Sequence, residues 1–485
     1  MKKIIFGCLS AKGRILALAG LSIVYCLLST TANSQSCSSL NITHQSDITS
    51  TCSLMTMTMI HDQLNRPYLY VANKEAGLKI YDISTIATPT LAATVPITAF
   101  GSLHVMNVSQ NGIYLYLAIG NTFSNLQQAG MAIVDVTIPD APVVTDFYLV
   151  PNSHTGAGIV KAEGNYAYLG AMGSGLYIFN VTDRNNIQFV SKYVPDIHFP
   201  PIANPDTTKI NARGMEVKNS IVYLCYDAGG FRIINCTNKS TPVETGHYCN
   251  PALYTPVNLP RAYNNVVIDD TLAYIAVDYC GMEALNISDT SNIKLEGWWN
   301  PYNCPNNNWF SSPVHANEIQ YDKNCKHVFL STGKSDMMVV DVSNPASPDS
   351  CNFYGGVSNN IGTWGIGLWQ DQIYLSYICS VIPFSSSLTQ VTLLTYNACT
   401  VGVEEQKPEE INIFPIPASD RITIESKRNL NLSDIIIVNM LGQTFYPSFK
   451  QSGNKVNVDV SGFSNGSYLL KVKADGKELI KKFVK

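Results

Sequence analysis

One pattern repeats along most of this chain: a Gly, four mostly apolar residues, Asp or Asn, an apolar residue, then Ser or Thr. It reads Gly77-LKIYDIS, Gly130-MAIVDVT, Gly175-LYIFNVT, Gly230-FRIINCT and Gly281-MEALNIS. A sixth copy, Asp336-MMVVDVS, puts Asp where the others have Gly, and an eroded seventh starts at Gln390 as QVTLLTYN. Successive copies are 53, 45, 55, 51, 55 and 54 residues apart. A fixed period of this length means repeated supersecondary units that bury their faces only against one another.

A second, aromatic-rich stretch precedes each copy: Tyr68-LYVA, Tyr114-LYLA, Tyr166-AYLG, Val222-YLCY, Leu272-AYIA, His327-VFLS and Ile373-YLSY. Before most of these lies a short strand ending in a polar turn, such as Met215-EVKNS or Ile319-QYDKN, and most units end on a fourth apolar stretch such as Phe189-VSKYV. Four short strands per unit, seven times over, predict a seven-bladed β-propeller. Composition agrees: the 26 Tyr favour strands, while the 32 Gly and 24 Pro favour turns. The Gly permits a backbone that a Cβ would hinder, and the Asp/Asn with Ser/Thr ties the strand end into a turn. Closing the seventh unit is expected to need the segment near Met55 to Ile60.

The strings GLKIYDISTIATPT (from Gly77), GMAIVDVTIPDAPV (from Gly130) and MMVVDVSNPASPD (from Met337) resemble the LVIVD repeat. The resemblance covers roughly residues 60–400 and implies a surface propeller without a common chemistry. Units three to five depart from it with Asn in place of Asp.

Residues 402–410, GVEEQKPEE, break the pattern and read as a linker. Residues 411–485 alternate apolar residues with Gly turns, which predicts a small C-terminal β-sandwich. Phe414-Pro-Ile-Pro-Ala-Ser-Asp420, Asn439-Met-Leu-Gly-Gln443, Phe463-Ser-Asn-Gly-Ser-Tyr468 and the end Lys481-Lys-Phe-Val-Lys485 resemble, in order, the type A sorting domain of the type IX secretion system of Bacteroidota. That resemblance implies export across the outer membrane and the type IX machinery as a partner. At the other end, Lys2, Lys3 and Arg14 precede an apolar stretch from Ile15 to Leu28 and small residues to Ser34. Residues 1–34 therefore read as a signal peptide, and 35–401 as the propeller. The mature chain is expected to lack a transmembrane segment and to be secreted or held at the outer cell surface.

Eleven cysteines follow the signal, none after Cys399. In an exported chain they read as disulfides, with at least one left free or paired in trans. A net charge of −4 gives no general attraction to nucleic acid.

No HExxH, GxSxG or P-loop motif occurs, so no catalytic residue, metal or cofactor is assigned. Asp82, Asp135 and Asp341 share one repeat position, where a turn role suffices. Aligning the first strand of each unit marks one equivalent position per blade at the expected channel mouth: His104, Gly158, Arg213, Asn264, Asn317 and Trp364, with Glu318 adjacent. This mix of charge, amide and aromatic groups suits a glycan, a peptide or a small polar ligand. An insertion before the sixth unit carries Trp298, Trp299, Tyr302, Trp309 and Phe310, which suit stacking on sugars or covering a blade edge. Two function classes follow: a binding, adhesion or scaffolding propeller, and an extracellular hydrolase or lyase of polysaccharide or peptide at the channel mouth.

Overall fold

The strands pair where the repeat spacing puts them. The computed structural model describes residues 40–485 apart from 124, 203–204, 255–262, 305–311, 358–360, 381–383, 398–410, 427–431, 440–442, 454 and 475–476. The expected signal peptide (1–34) and linker (402–410) lie outside the described residues.

Seven four-stranded antiparallel sheets lie between Ile42 and Tyr396. Blade 1 runs Met59–His61, Tyr68–Asn73, Gly77–Asp82 and Thr90–Val95. The first strands of blades 2 to 7 are Val105–Asn111, Ile159–Glu163, Gly214–Lys218, Tyr263–Asp269, Ile319–Asp322 and Thr363–Trp369. Each first strand packs against the next, and that of blade 7 packs against that of blade 1, so the ring closes. The protein is an all-β, seven-bladed propeller.

The repeat residues do local work. At the end of each third strand in blades 1 to 6, the Asp/Asn side chain accepts a hydrogen bond from the backbone two residues on. Examples are Ser84 N to Asp82 Oδ1 at 2.8 Å and Thr182 N to Asn180 Oδ1 at 2.9 Å. Gly77 has φ of +90°, and a Cβ there would lie 2.1 Å from the Val95 carbonyl oxygen. A side chain is excluded there by both backbone and space.

The cores lie between blades. Tyr116 and Met131 of blade 2 pack with Leu169 and Phe179 of blade 3. Leu69 and Val71 of blade 1 pack with Tyr374 and Leu393 of blade 7. Every other joint has a similar cluster. Each such side chain contributes roughly 1.5–3 kcal/mol when fully buried, so these joints dominate the ring's stability.

Backbone bonds tie the blades around the channel at six joints: Val105 N to Lys74 O (3.1 Å), Ala157 N to Gly120 O (3.2 Å), Ala212 N to Met172 O (3.0 Å), Tyr263 N to Asp227 O (3.1 Å), Ala316 N to Asp278 O (2.7 Å) and Thr363 N to Gly333 O (3.0 Å). At the seventh joint Thr56 Oγ1 donates to Tyr377 O at 2.9 Å, Ser376 Oγ donates to Met57 O, and a Cys52–Cys379 disulfide bridges 327 residues of sequence.

Ring closure differs from the sequence expectation. Met59–His61 is blade 1's own first strand, and the closing strand is Ile42–Thr49, paired antiparallel with Gln390–Tyr396 as the outermost strand of blade 7. Its sequence, ITHQSDIT, is polar because only Ile48 of the strand is buried, so hydrophobic alternation does not announce it.

Residues from Ile411 to Val484 form two further four-stranded sheets. Ile422, Ile424 and Val458 of one sheet share a core with Ile437, Leu470 and Phe483 of the other, which makes a sandwich. Lys485 exchanges two backbone hydrogen bonds with Gly466, each 2.9 Å, and its Nζ donates to Val460 O at 2.6 Å.

Candidate functional site

The first strands converge on the axis, and register fixes which residues share a level there. Gly214 pairs with Cys225, Asn107 with Ala118, and Asn265 with Ala276. The residues one step earlier, Arg213, Met106 and Asn264, are therefore equivalent. The position in blade 2 belongs to Met106; His104 lies two residues before it, and a bulge between Val105 and Asn107 hid the offset. The level comprises Met57, Met106, Gly158, Arg213, Asn264, Asn317 and Trp364.

Some of these residues are structural ties. Asn264 Nδ2 donates to Ala316 O at 2.7 Å and Asn317 Nδ2 donates to Thr363 O at 2.8 Å, each reaching the next blade. Both are buried, at 1% exposure, and neither side chain lines the mouth cavity.

The mouth cavity is lined by Met57, Thr58, Met106, Thr122, Phe123, Gly158, Met172, Arg213, Glu318 and Trp364. These come from six of the seven blades. The Arg213 guanidinium lies 4.9 Å from the Trp364 ring, Trp364 meets Phe123 edge-on at 5.2 Å, and the Lys74 ammonium sits 6.0 Å from the Phe123 ring. Two cations thus flank an aromatic pair. Lys74 is neutralised by an ion pair with Glu75. The Arg213 guanidinium makes one hydrogen bond, Nη2 to Asn317 Oδ1 at 3.3 Å, and no ion pair among the described residues.

Glu318 lies where the mouth meets a deeper part of the channel, and it lines both cavities. Burial raises its carboxyl to about 7, against the pull of an Asn265 hydrogen bond and the nearby Arg213 and Lys161 charges. The deeper cavity has a volume of about 340 Å³, at the low end of the range of small-molecule sites. It also carries Lys161, paired with Glu216 at 2.8 Å, and His61 stacked flat on Trp369 at 4.8 Å. Near the mouth, burial and the Lys74 charge lower the His104 imidazole, which favours its neutral form. Burial pushes Asp227 up to about 6, with Arg213 and Asn211 acting the other way. Among the described residues no three His, Cys, Asp or Glu side chains gather as metal ligands would.

Phe123, Met172, Lys74 and Lys161 were not picked out from sequence. Lys74 and Met172 share one repeat position, just past the second strand, where each bridges to the next blade; Phe123 sits on a loop with no strand register. Lys161 sits on a first strand but below the level considered.

The insertion aromatics that the structure describes, Trp298, Trp299 and Tyr302, pack on blade cores rather than forming one stacking surface. Trp299 ends a blade 5 strand, is 4% exposed, and donates Nε1 to Ser350 Oγ at 2.9 Å. Trp298 donates Nε1 to Cys280 O at 2.9 Å and packs on the blade 4–5 core. Tyr302 packs on the blade 5–6 core. Trp309 and Phe310 lie outside the described residues. A Cys280–Cys304 disulfide pins the start of the insertion. Burying these rings yields more than exposing them for a sugar. The stretch that starts at Pro195, ahead of blade 4, is anchored by fully buried Arg232, which donates to Asp196 O (2.9 Å) and Phe199 O (3.0 Å) and pairs with Glu244 at 3.1 Å. The free thiols among the described residues, Cys225, Cys236 and Cys249, are all buried.

Comparison with known proteins agrees with this architecture. The LVIVD repeat model matches residues 66–96, 156–194 and 326–354, and the secretion system C-terminal sorting domain model matches 412–485. No curated protein matches the chain. Among solved structures, the β-propeller domain of Myceliophteria thermophila Cps50 (Swd1) has a TM-score of 0.49 at 9% identity, covering 74% of this chain and 100% of that one. The C-terminal WD40 domain of Sif2 has a TM-score of 0.46 at 10% identity, covering 73% and 98%. PorZ of Porphyromonas gingivalis, an essential surface component of its type-IX secretion system, has a TM-score of 0.32 at 13% identity, covering 87% and 64%. At such distances these structures carry no argument about function.

Proposed function

We propose that this chain, which carries LVIVD repeats and a secretion-system C-terminal sorting domain, is an exported binding or scaffolding propeller that takes its ligand at the channel mouth. The sorting domain marks it as secreted or displayed at the cell surface by the type IX system, whose machinery is therefore a partner. No helix among the described residues is long and apolar enough to cross a membrane. We take 35–401 as the propeller and 411–485 as the sorting domain.

One observation carries the reading. Side chains from six blades meet in a single cavity that combines a cation, a carboxyl, two aromatic rings and three thioethers. Convergent polar groups on an apolar floor are what orient a ligand. The test is glycan-array and peptide-array binding by the full chain beside Arg213→Ala and Trp364→Ala. A ligand bound without turnover and lost in both variants is expected; a ligand retained by both places binding elsewhere.

A second reading, a hydrolase or lyase of polysaccharide or peptide, is favoured by Glu318. A carboxyl raised to about 7 in a cavity beside Arg213 suits a general acid. Product release from a substrate panel, abolished by Glu318→Gln, would favour it over binding alone.

A further inference from the structure

We infer that the mouth receives a carboxylate carried on an apolar group, with Arg213 as its receptor. The inference rests on the reading of the mouth as a binding site, and it names the ligand class.

The guanidinium has five N–H donors, and one hydrogen bond, to Asn317, uses them among the described residues. The indole of Trp364 supports one face of the group and Phe123 abuts the indole, so the fork is held in place rather than swinging freely. A fixed, half-buried guanidinium with unspent donors matches a planar acceptor with two oxygens. Carboxylate has that geometry.

The rest of the lining selects what carries the carboxylate. Met57, Met106 and Met172 surround the position with polarizable, adaptable apolar surface, and Phe123 adds an aromatic wall. Gly158 lets these close in: a Cβ there would lie 2.9 Å from Met172 Sδ and 3.2 Å from the Arg213 carbonyl oxygen. A sugar acid would need a free aromatic face and a set of hydroxyl partners. Here the guanidinium lies over the indole, and the amide N–H groups of Asn264 and Asn317 donate to neighbouring blades from buried side chains that do not line the cavity. Glu318 also lines the cavity, and burial opposes its ionisation, which limits its repulsion of an anion. The chemistry therefore fits either a free apolar acid or the C-terminal residue of a polypeptide.

The experiment is isothermal titration of the full chain with N-acetyl-leucine, N-acetyl-leucinamide, a hexapeptide ending in Leu with free or amidated C-terminus, and a galacturonate oligomer. The free carboxylates are expected to bind at least about tenfold more tightly than the amides. Tighter binding of the free peptide than of N-acetyl-leucine identifies a polypeptide source; equal binding identifies a small acid. Arg213→Gln should weaken binding roughly 10- to 100-fold, with Arg213→Lys in between because it keeps charge and loses the fork. Melting curves show that each variant is folded. Amide binding as tight as acid binding, unchanged affinity in folded Arg213→Gln, or binding of galacturonate instead of the apolar acids overturns the inference. If an array ligand binds in a Trp364-dependent way while no apolar acid does, the inference falls and the binding reading stands. If no ligand depends on Arg213 or Trp364, both fall.

Discussion

Glu283 is a carboxyl with nowhere to send its charge. It is fully buried on the third strand of blade 5, where Asn250 Nδ2 and the Tyr263 hydroxyl each donate to it at 2.8 Å. Those bonds favour the anion, yet desolvation outweighs them and raises the group from 4.5 to about 7. The folded state therefore holds a proton that the unfolded chain releases above its ordinary value. The stabilisation is full below pH 4.5 and is lost as pH rises through about 7, a change of about 3 kcal/mol for this group. Urea denaturation between pH 4 and 8 is expected to show that decline, and Glu283→Gln to remove Glu283's share of it. A flat profile would contradict the burial argument. At this scale the sequence shows where a side chain sits in a strand, and little of what surrounds it. Arg213 and Trp364 are legible because first strands align. Met106 is not, since a bulge shifts blade 2; Met172 shares its repeat position with Lys74, just past the second strand, and Phe123 arrives on a loop with no register to follow.

Elements whose burial follows a period were legible. The second strands place Tyr70, Tyr116, Tyr168, Tyr223, Tyr274, Phe329 and Tyr374 at one position, and the third strands end in their Asx turns. The closing strand was not, because an outermost strand has one face to the solvent and Ile42–Thr49 buries little. It nevertheless pairs along its length with Gln390–Tyr396. Deleting residues 42–49 leaves blade 7 with three strands and the backbone of Gln390–Tyr396 unpaired at an edge. The deletion is expected to broaden the thermal transition and to produce oligomers on size exclusion, as free edges find one another. A sharp transition and monomeric elution would show that the strand is dispensable. Trp299 shows what sequence leaves open: an aromatic run suits sugar stacking or covering a blade edge, and only the fold shows this ring 4% exposed and bonded to Ser350.

Across the whole molecule, six joints repeat one backbone bond, and the seventh is bridged by Cys52–Cys379. A crosslink spanning so much sequence removes much of the open chain's freedom, worth roughly 2–5 kcal/mol. The Cys52→Ser/Cys379→Ser protein should melt about 5 °C or more below the parent in a calorimeter, with wild type under reductant shifting likewise. Equal melting temperatures would mean that Thr56 and the closing strand hold the joint alone. Seven near-equal joints and a seam at the seventh unit were readable from spacing; the Cys52–Cys379 bridge across it was not, because cysteine pairing cannot be read from sequence. The seam also imposes an order in time. Ile42–Thr49 is synthesised long before Gln390–Tyr396, so the outermost strand of blade 7 must wait, solvated, for the rest of its blade. A polar strand is well suited to that wait: it has little greasy surface with which to find a wrong neighbour, and so distant a pairing makes completion of the circle a slow step in folding the propeller.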